Sequence, residues 1–181
     1  RLYLGIDVSG SMGGSMISGT PLTARDGSGA LAMVTMRTEK NYIIKGFSDG
    51  GRGAMGYYRG NTSMVDLGIT AKMDLNSVIR KISGLPFGAT DCALPMLDAT
   101  QNGYEIDAFV IYTDSETWFG KIHPMQALKE YRKKSGIPAK LIIVGMTSNN
   151  FSIADPNDKG CLDVVGFDSS VPNIMSEFIL D

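Results

Sequence analysis

Histidine, tryptophan and cysteine are scarce in this chain, with one, one and two residues respectively. A serine hydrolase would therefore have to draw its imidazole base from His123, whose place before Pro124 suits a helix cap instead. Cys92 and Cys161 belong to no paired motif, so a disulfide framework is not indicated and a reducing, cytoplasmic setting is expected over an extracellular one. Two Asn-x-Ser/Thr triplets, at Asn61 and Asn150, are too common by chance to reverse that expectation. Surplus positive charge is also missing: 17 basic against 19 acidic side chains leave a net charge of -2, with no overall field for a phosphate backbone. No apolar run approaches the length of a membrane span. Neither a Gly-x-Ser-x-Gly elbow around Ser9 or Ser11 nor a Walker-type Gly-Lys-Ser/Thr is present, which removes the commonest signatures of an esterase or an ATPase.

What is present is ordinary for a folded protein: 43% hydrophobic and 20% charged residues over a length, 181 residues, that suits one domain spanning 1–181. The chain opens without Met, directly in a strand-like run, so a domain excised from a larger protein is expected. Short segments rich in β-branched and aromatic residues, at 2–8, 42–47, 106–112, 140–144 and 162–167, read as strands. Those at 108–112 and 141–144 are continuously apolar, the pattern of parallel strands covered on both faces.

Helical patterns lie between them. Leu75, Val78, Ile79 and Ile82 follow Asp74 as N-cap and precede Gly84 as terminator. His123 and Pro124 open a second helix, with Met125, Leu128 and Tyr131 on one face and Gly136 at its end. Its basic end, Lys129, Arg132, Lys133 and Lys134, reads as solvated. Val171, Ile174, Met175 and Phe178 after Ser170 give a final helix, and an earlier one is expected from near Thr20-Pro21 to Thr38. Strands alternating with helices predict an α/β fold with a doubly wound, mostly parallel, Rossmann-like sheet and helices on both faces. The stretch 49–73, with six glycines and candidate strands at 55–58 and 64–67, predicts an antiparallel edge hairpin.

The chemistry concentrates in Asp7-Val8-Ser9-Gly10-Ser11. Alternate residues present oxygen in a loop that Gly10, Gly13 and Gly14 allow to curl. Asp114 ends the strand at 106–112, and ligands gather at such carboxyl ends, so Asp7 and Asp114 are expected as neighbours. Thr90-Asp91, after the loop from Gly84 to Gly88, can bring another hydroxyl. Carboxylates and hydroxyls are hard donors, which favours Mg2+, with Mn2+ or Ca2+ as alternatives, over zinc or copper. The bland alternative is a strand ending in a turn, since Asp, Ser and Gly all favour turns. Asp155 to Gly160 has calcium-loop spacing, but Lys159 in a ligand position and Gly166 in place of the bidentate Glu leave it a turn.

Asp7-Val8-Ser9-Gly10-Ser11-Met12, Thr90-Asp91 and Thr113-Asp114 together resemble the metal-ion-dependent adhesion site (MIDAS) of the von Willebrand factor A (vWA) family. The resemblance implies metal binding by the Ser9, Ser11 and Thr90 hydroxyls, with Asp7 and Asp114 acting directly or through water. It also implies an open position for a partner's Asp or Glu, with Gly10, Met12, Asp91 and Glu116 as candidate contacts. A narrower resemblance, to the carboxy-terminal A-type domains of Ro autoantigen proteins, is carried by residues 90–96, 132–134, 137–141, 145–149 and 153–156. It implies a non-catalytic docking module of a cytoplasmic ribonucleoprotein whose Y RNAs and misfolded RNAs bind through parts absent from this chain. Two other readings stand beside it. One is a direct RNA surface, through Arg52, Tyr57, Tyr58 and Arg59 or the basic helix end. The other is a hydrolase using the Asp and Ser residues.

Overall fold

The computed structural model describes residues 1–48, 64–85, 90–114, 121–148 and 152–181. Six strands form one sheet: β1 (Leu2–Asp7), β2 (Tyr42–Phe47), β3 (Val65–Asp66), β4 (Ala108–Thr113), β5 (Lys140–Gly145) and β6 (Cys161–Val165). Their order is β3-β2-β1-β4-β5-β6, and only the β2–β3 pairing is antiparallel. Five α-helices cover it: α1 (Ala24–Thr38), α2 (Leu75–Ser83), α3 (Leu94–Asn102), α4 (Pro124–Ser135) and α5 (Val171–Leu180).

Although β1, β4 and β5 are apolar on both faces, their side chains still alternate between two cores. Leu2, Leu4, Ile6, Val110, Tyr112, Ile142 and Val144 join a cluster that includes residues of α1, α2 and α5. Tyr3, Phe109, Ile111, Leu141 and Ile143 join another with residues of α3 and α4. The expected three-layer, doubly wound architecture is therefore present. Chain order reverses between β1 and β4, so their carboxyl ends flank the topological switch point where such sheets open a crevice.

Several boundaries differ from the sequence expectation for identifiable reasons. Helix α1 starts at Ala24 rather than near Thr20-Pro21, because Thr23 and Asp26 form a reciprocal capping box. Residues 17–22 are a tight turn, closed by the Ile17 N–H on the Leu22 carbonyl at 2.9 Å. Helix α3 was not anticipated; it packs so closely on β1 that a Cβ added at Gly5 would lie 2.9 Å from Cγ of Pro95. The strand expected from residue 106 begins at Ala108, and that expected at 162–167 spans Cys161–Val165, ended by Gly166 at φ 114°. Of the edge hairpin, β3 is present within 64–67, while the candidate strand at 55–58 and the residues Arg52, Tyr57, Tyr58 and Arg59 lie outside the described residues. The caps Asp74 and His123 act as expected, accepting from the N–H groups of Ser77 and Met125. Ser170 precedes α5 without a side-chain cap bond. The 155–160 segment is a turn, with Asp155 Oδ1 accepting from Asn157 N–H at 2.9 Å and Asp158 Oδ1 from Gly160 N–H at 2.9 Å.

Arg132 is not part of a solvated basic end. Its Nε donates to the Ala139 carbonyl at 2.8 Å and its Nη1 to Asp158 Oδ2 at 2.5 Å, tying α4 to the segments before β5 and β6. The guanidinium holds the Asp158 carboxyl below the usual carboxylate range. A depressed carboxyl stabilises the fold above the unfolded pKa, and that contribution fades as pH falls through the folded value. Arg132→Met should thus cost about 1–2 kcal/mol at neutral pH. Urea unfolding of both proteins checks it: the gap should narrow below about pH 4, and a gap independent of pH would deny the ion pair its role.

Candidate metal centre

Asp7 is the last residue of β1, and its side chain shares a sheet face with Tyr3 and Gly5 by the period of two. The parallel register pairs Ile6 with Tyr112, which brings Thr113 beside Asp7. Thr113 Oγ1 donates to Asp7 Oδ2 at 2.7 Å, and the Ser9 N–H donates to Asp7 Oδ1 at 2.8 Å. This second bond closes an Asx turn that takes the chain out of the strand. A 3-10 turn at Gly10–Gly13 follows, anchored by the fully buried Met12. Gly13 faces the Arg25 guanidinium, whose Nη1 would lie 2.8 Å from an added Cβ, so a larger residue there would have to displace the arginine.

Asp114 immediately follows β4. The Thr147 hydroxyl donates to its backbone carbonyl, and the Met146 N–H holds the preceding Thr113 carbonyl at 2.8 Å. The five residues expected to form the site converge. Ser9 Oγ and Ser11 Oγ lie 3.1 Å apart; Thr90 Oγ1 lies 3.2 Å from Ser9 Oγ and 3.2 Å from Asp7 Oδ2; Ser11 Oγ lies 3.3 Å from Asp114 Oδ1. Asp7, Ser9 and Asp114 are buried, Thr90 is half-buried and Ser11 is exposed, so the cluster has a closed floor and an accessible side.

Two participants lie outside the five expected ligands: Thr113, which the Thr113-Asp114 motif names without giving it a role, and Ser15. Ser15 Oγ donates to Asp114 Oδ2 at 2.7 Å. Among the proposed partner contacts, Gly10 is exposed, whereas Met12 and Asp91 are 0% and 8% exposed and present little side chain to a partner. Asp91 Oδ1 accepts from the Ala93 N–H at 3.0 Å, just before α3. Glu116 lies outside the described residues.

Electrostatics set the chemistry. Burial pushes the Asp7 carboxyl up to about 6, against the opposing hydrogen bonds from Ser9 and Thr113 and with a further push from the Asp114 charge. The Cys92 thiol is raised well above its ordinary value by burial and by Asp7, Asp91 and Asp114, so it stays protonated and offers no thiolate. Among the described residues, no three His, Cys, Asp or Glu side chains cluster as a metal site, and no Lys or Arg forms an ion pair with Asp7 or Asp114. The donor set is two carboxylates and three hydroxyls, all hard oxygen, and this suits magnesium, manganese or calcium. Its spacing fits as well. Neighbouring ligands of an octahedral Mg2+ stand roughly 2.8–3.0 Å apart, and those of an octahedral Ca2+ roughly 3.3–3.7 Å; the oxygens here, at 3.1–3.3 Å, fall between.

The family described as the Ro60 vWA domain matches residues 1–179. The chain is 42% identical over 179 residues to the RNA-binding protein RO60 of Deinococcus radiodurans, covering 98% of this chain and 31% of that protein. It is 40% identical over 180 residues to the RNA-binding protein RO60 of Caenorhabditis elegans, covering 99% of this chain and 26% of that protein. The crystal structure of the D. radiodurans RO (RSR) protein superposes with a TM-score of 0.84 over 99% of this chain and 34% of that one, at 42% identity. Proximal thread matrix protein 1 from the mussel byssus, whose MIDAS motif holds zinc, shares the fold with a TM-score of 0.58 at 11% identity, over 98% of this chain and 46% of that one. The chain thus spans about a third or less of the curated relatives it matches.

A raised carboxyl has a stability signature of opposite sign to that of Asp158. The fold gains from a protonated Asp7 below the unfolded pKa and loses that gain as pH rises through about 6. In EDTA at pH 7, Asp7→Asn should therefore be more stable than wild type by on the order of 1–3 kcal/mol. Its amide can still accept from Ser9 and donate to the Thr113 and Thr90 hydroxyls. Denaturant midpoints across pH test this: the advantage should disappear below about pH 4, and an advantage that persisted there would assign the effect to packing.

Proposed function

Since the chain belongs to the Ro60 vWA domain family, we propose that it is a non-catalytic, divalent-metal-dependent docking module within a Ro-type RNA-binding protein. The observation that carries this reading is the convergence of Ser9, Ser11 and Thr90 hydroxyls with Asp7 and Asp114 at the switch point of the sheet. Ser9, Ser11 and Thr90 would hold the cation through their hydroxyls, and Asp7 and Asp114 would act directly or through water. Mg2+ is the proposed ion, with Mn2+ or Ca2+ as substitutes. When bound, it supplies an underneutralised electrophilic position that takes the carboxylate of a partner's Asp or Glu.

The chain's own residues prepare that position. Thr113 and the Ser9 N–H orient Asp7 so that it stays aimed at the cluster. The buried floor keeps bulk water from the carboxylates and strengthens their field at the accessible side. Exposed Ser11 and Gly10 leave room for an incoming group. Nucleophilic catalysis has less support: Ser9 Oγ and Ser11 Oγ are engaged with hydroxyls and a carboxylate, and the His123 ring caps α4 through Nδ1 at 3.1 Å from Met125 N. RNA contacts are assigned to the rest of the Ro-type protein and a cytoplasmic ribonucleoprotein is the proposed setting, in keeping with the net charge of -2 of this chain.

Calorimetric titration of Mg2+ and Mn2+ should show one site in the wild type, lost in Asp7→Ala and in Ser9→Ala. Equal binding by all three proteins would remove the metal reading. Acetate, as the simplest carboxylate, should shift the Gly10 and Ser11 amide signals of the Mg2+-loaded protein and leave those in EDTA unmoved. Shifts of the same size in both conditions would remove the docking role while sparing the metal.

A further inference from the structure

Ser15 lies outside the Asp-x-Ser-x-Ser spacing, yet it makes one of the two shortest hydrogen bonds between side chains in the centre, the other being Thr113 to Asp7. The two oxygens of the Asp114 carboxylate are divided: Oδ1 faces the hydroxyl cluster through Ser11 at 3.3 Å, while Oδ2 accepts from Ser15 Oγ at 2.7 Å. A carboxylate bonded only at Oδ1 could rotate about its last torsion, which is broad and roughly two-fold. The short bond at Oδ2 fixes that rotation. Ser15 is itself held on both sides of its backbone, its N–H donating to the Ser11 carbonyl at 2.8 Å and its carbonyl accepting the Ala24 N–H at 2.8 Å. The adjoining residue Met16 bridges to Thr23, the N-cap of α1. Because the loop and the start of α1 fix its main chain, the hydroxyl of Ser15 is a rigid reference for Asp114.

We propose that Ser15 is a positioning residue that locks the plane of the Asp114 carboxylate and thereby biases the centre towards a small, octahedral divalent cation. The inference rests on the metal-dependent reading above. Its physical basis is the different tolerance of the two hard cations. Mg2+ demands a near-ideal octahedral shell, whereas Ca2+ accepts irregular geometry and variable ligand number. Freeing Asp114 to swing should cost Mg2+ more than Ca2+. Loss of a partner that orients a ligand typically weakens metal binding tenfold to a hundredfold.

The test compares Mg2+ and Ca2+ affinities by calorimetry for wild type, Ser15→Ala, Ser15→Thr and Ser11→Ala. Ser15→Ala should weaken Mg2+ by about tenfold or more and Ca2+ by about threefold or less. Ser15→Thr, which keeps the hydroxyl, should restore the wild-type preference. Unchanged Mg2+ affinity in Ser15→Ala overturns the proposal. So do equal losses for both ions, which would mark a general loosening of the loop, and so does a Thr variant that behaves like Ala. Ser11→Ala separates this failure from that of the underlying reading. If wild type and Ser11→Ala bind neither ion, the metal centre itself is refuted; if Ser11→Ala alone loses binding while Ser15→Ala matches wild type, only the role of Ser15 is.

Discussion

Two carboxylates at the ends of adjacent central strands, with no ion-paired Lys or Arg beside them among the described residues, are the constraint around which this domain is arranged. Burial of Asp7 penalises its charge, and the neighbouring Asp114 adds to the penalty. The fold offsets this with hydroxyls and one backbone N–H, which stabilise the anion without neutralising it. A different solution exists on the same domain. Asp98, 3% exposed in α3, receives Lys45 Nζ at 2.8 Å, Tyr3 OH at 2.6 Å and Asn102 Nδ2 at 3.1 Å. That carboxylate has its own internal cation and serves to fasten α3 onto β1 and β2. The contrast is between a carboxylate that its own lysine neutralises and two that hydroxyls and a backbone N–H stabilise without neutralising.

The loops around the centre follow from the same constraint. Hydroxyls must approach within hydrogen-bond reach from three separate segments, so each segment is pinned by something other than the site. Met12 anchors the first loop in the core beneath α1, and the capping box of α1 fixes the return of the chain. Asp91 accepts the Ala93 N–H, and its own N–H donates to the Ser48 carbonyl at 2.8 Å, which holds the Thr90 segment against the end of β2. Residues that look like candidates for partner contact by their place in the motif are therefore partly committed to holding it together.

Much of this was legible in the sequence because the informative residues sit at element boundaries. Continuous apolar runs marked β4 and β5, and named caps marked α2 and α4. Asp7, Ser9, Ser11, Thr90 and Asp114 were readable because strand ends are where an α/β sheet presents chemistry. Helix α3 was illegible for a physical reason: Asp98 occupies one of its inward positions, so a charge interrupts the apolar face that would have announced a helix. The start of α1 was misplaced because Thr20-Pro21 imitates a cap and first-turn proline, while the working box uses Thr23 and Asp26. Ser15 carries no spacing signal, and Thr113 enters the sequence motif only as the neighbour of Asp114. Their roles depend on the side to which a turn or a strand directs a hydroxyl, and only three-dimensional structure fixes that.

The register of β1 against β4 ties these features together. Pairing of Ile6 with Tyr112 makes Asp7 and Thr113 neighbours on one face, while Ile6 and Tyr112 enter the opposite core. A slip of β1 by one residue against β4 would reverse its side chains, placing Asp7 in the apolar layer beneath α1 opposite Tyr112. The same apolar side chains that make β1 and β4 the interior of the sheet therefore also fix the separation of the two carboxylates. Stability and site geometry are in this respect a single property. Asp7 ends β1 and Asp114 follows β4, while the hydroxyls of Ser11 and Thr90 are carried by segments that flank those strands.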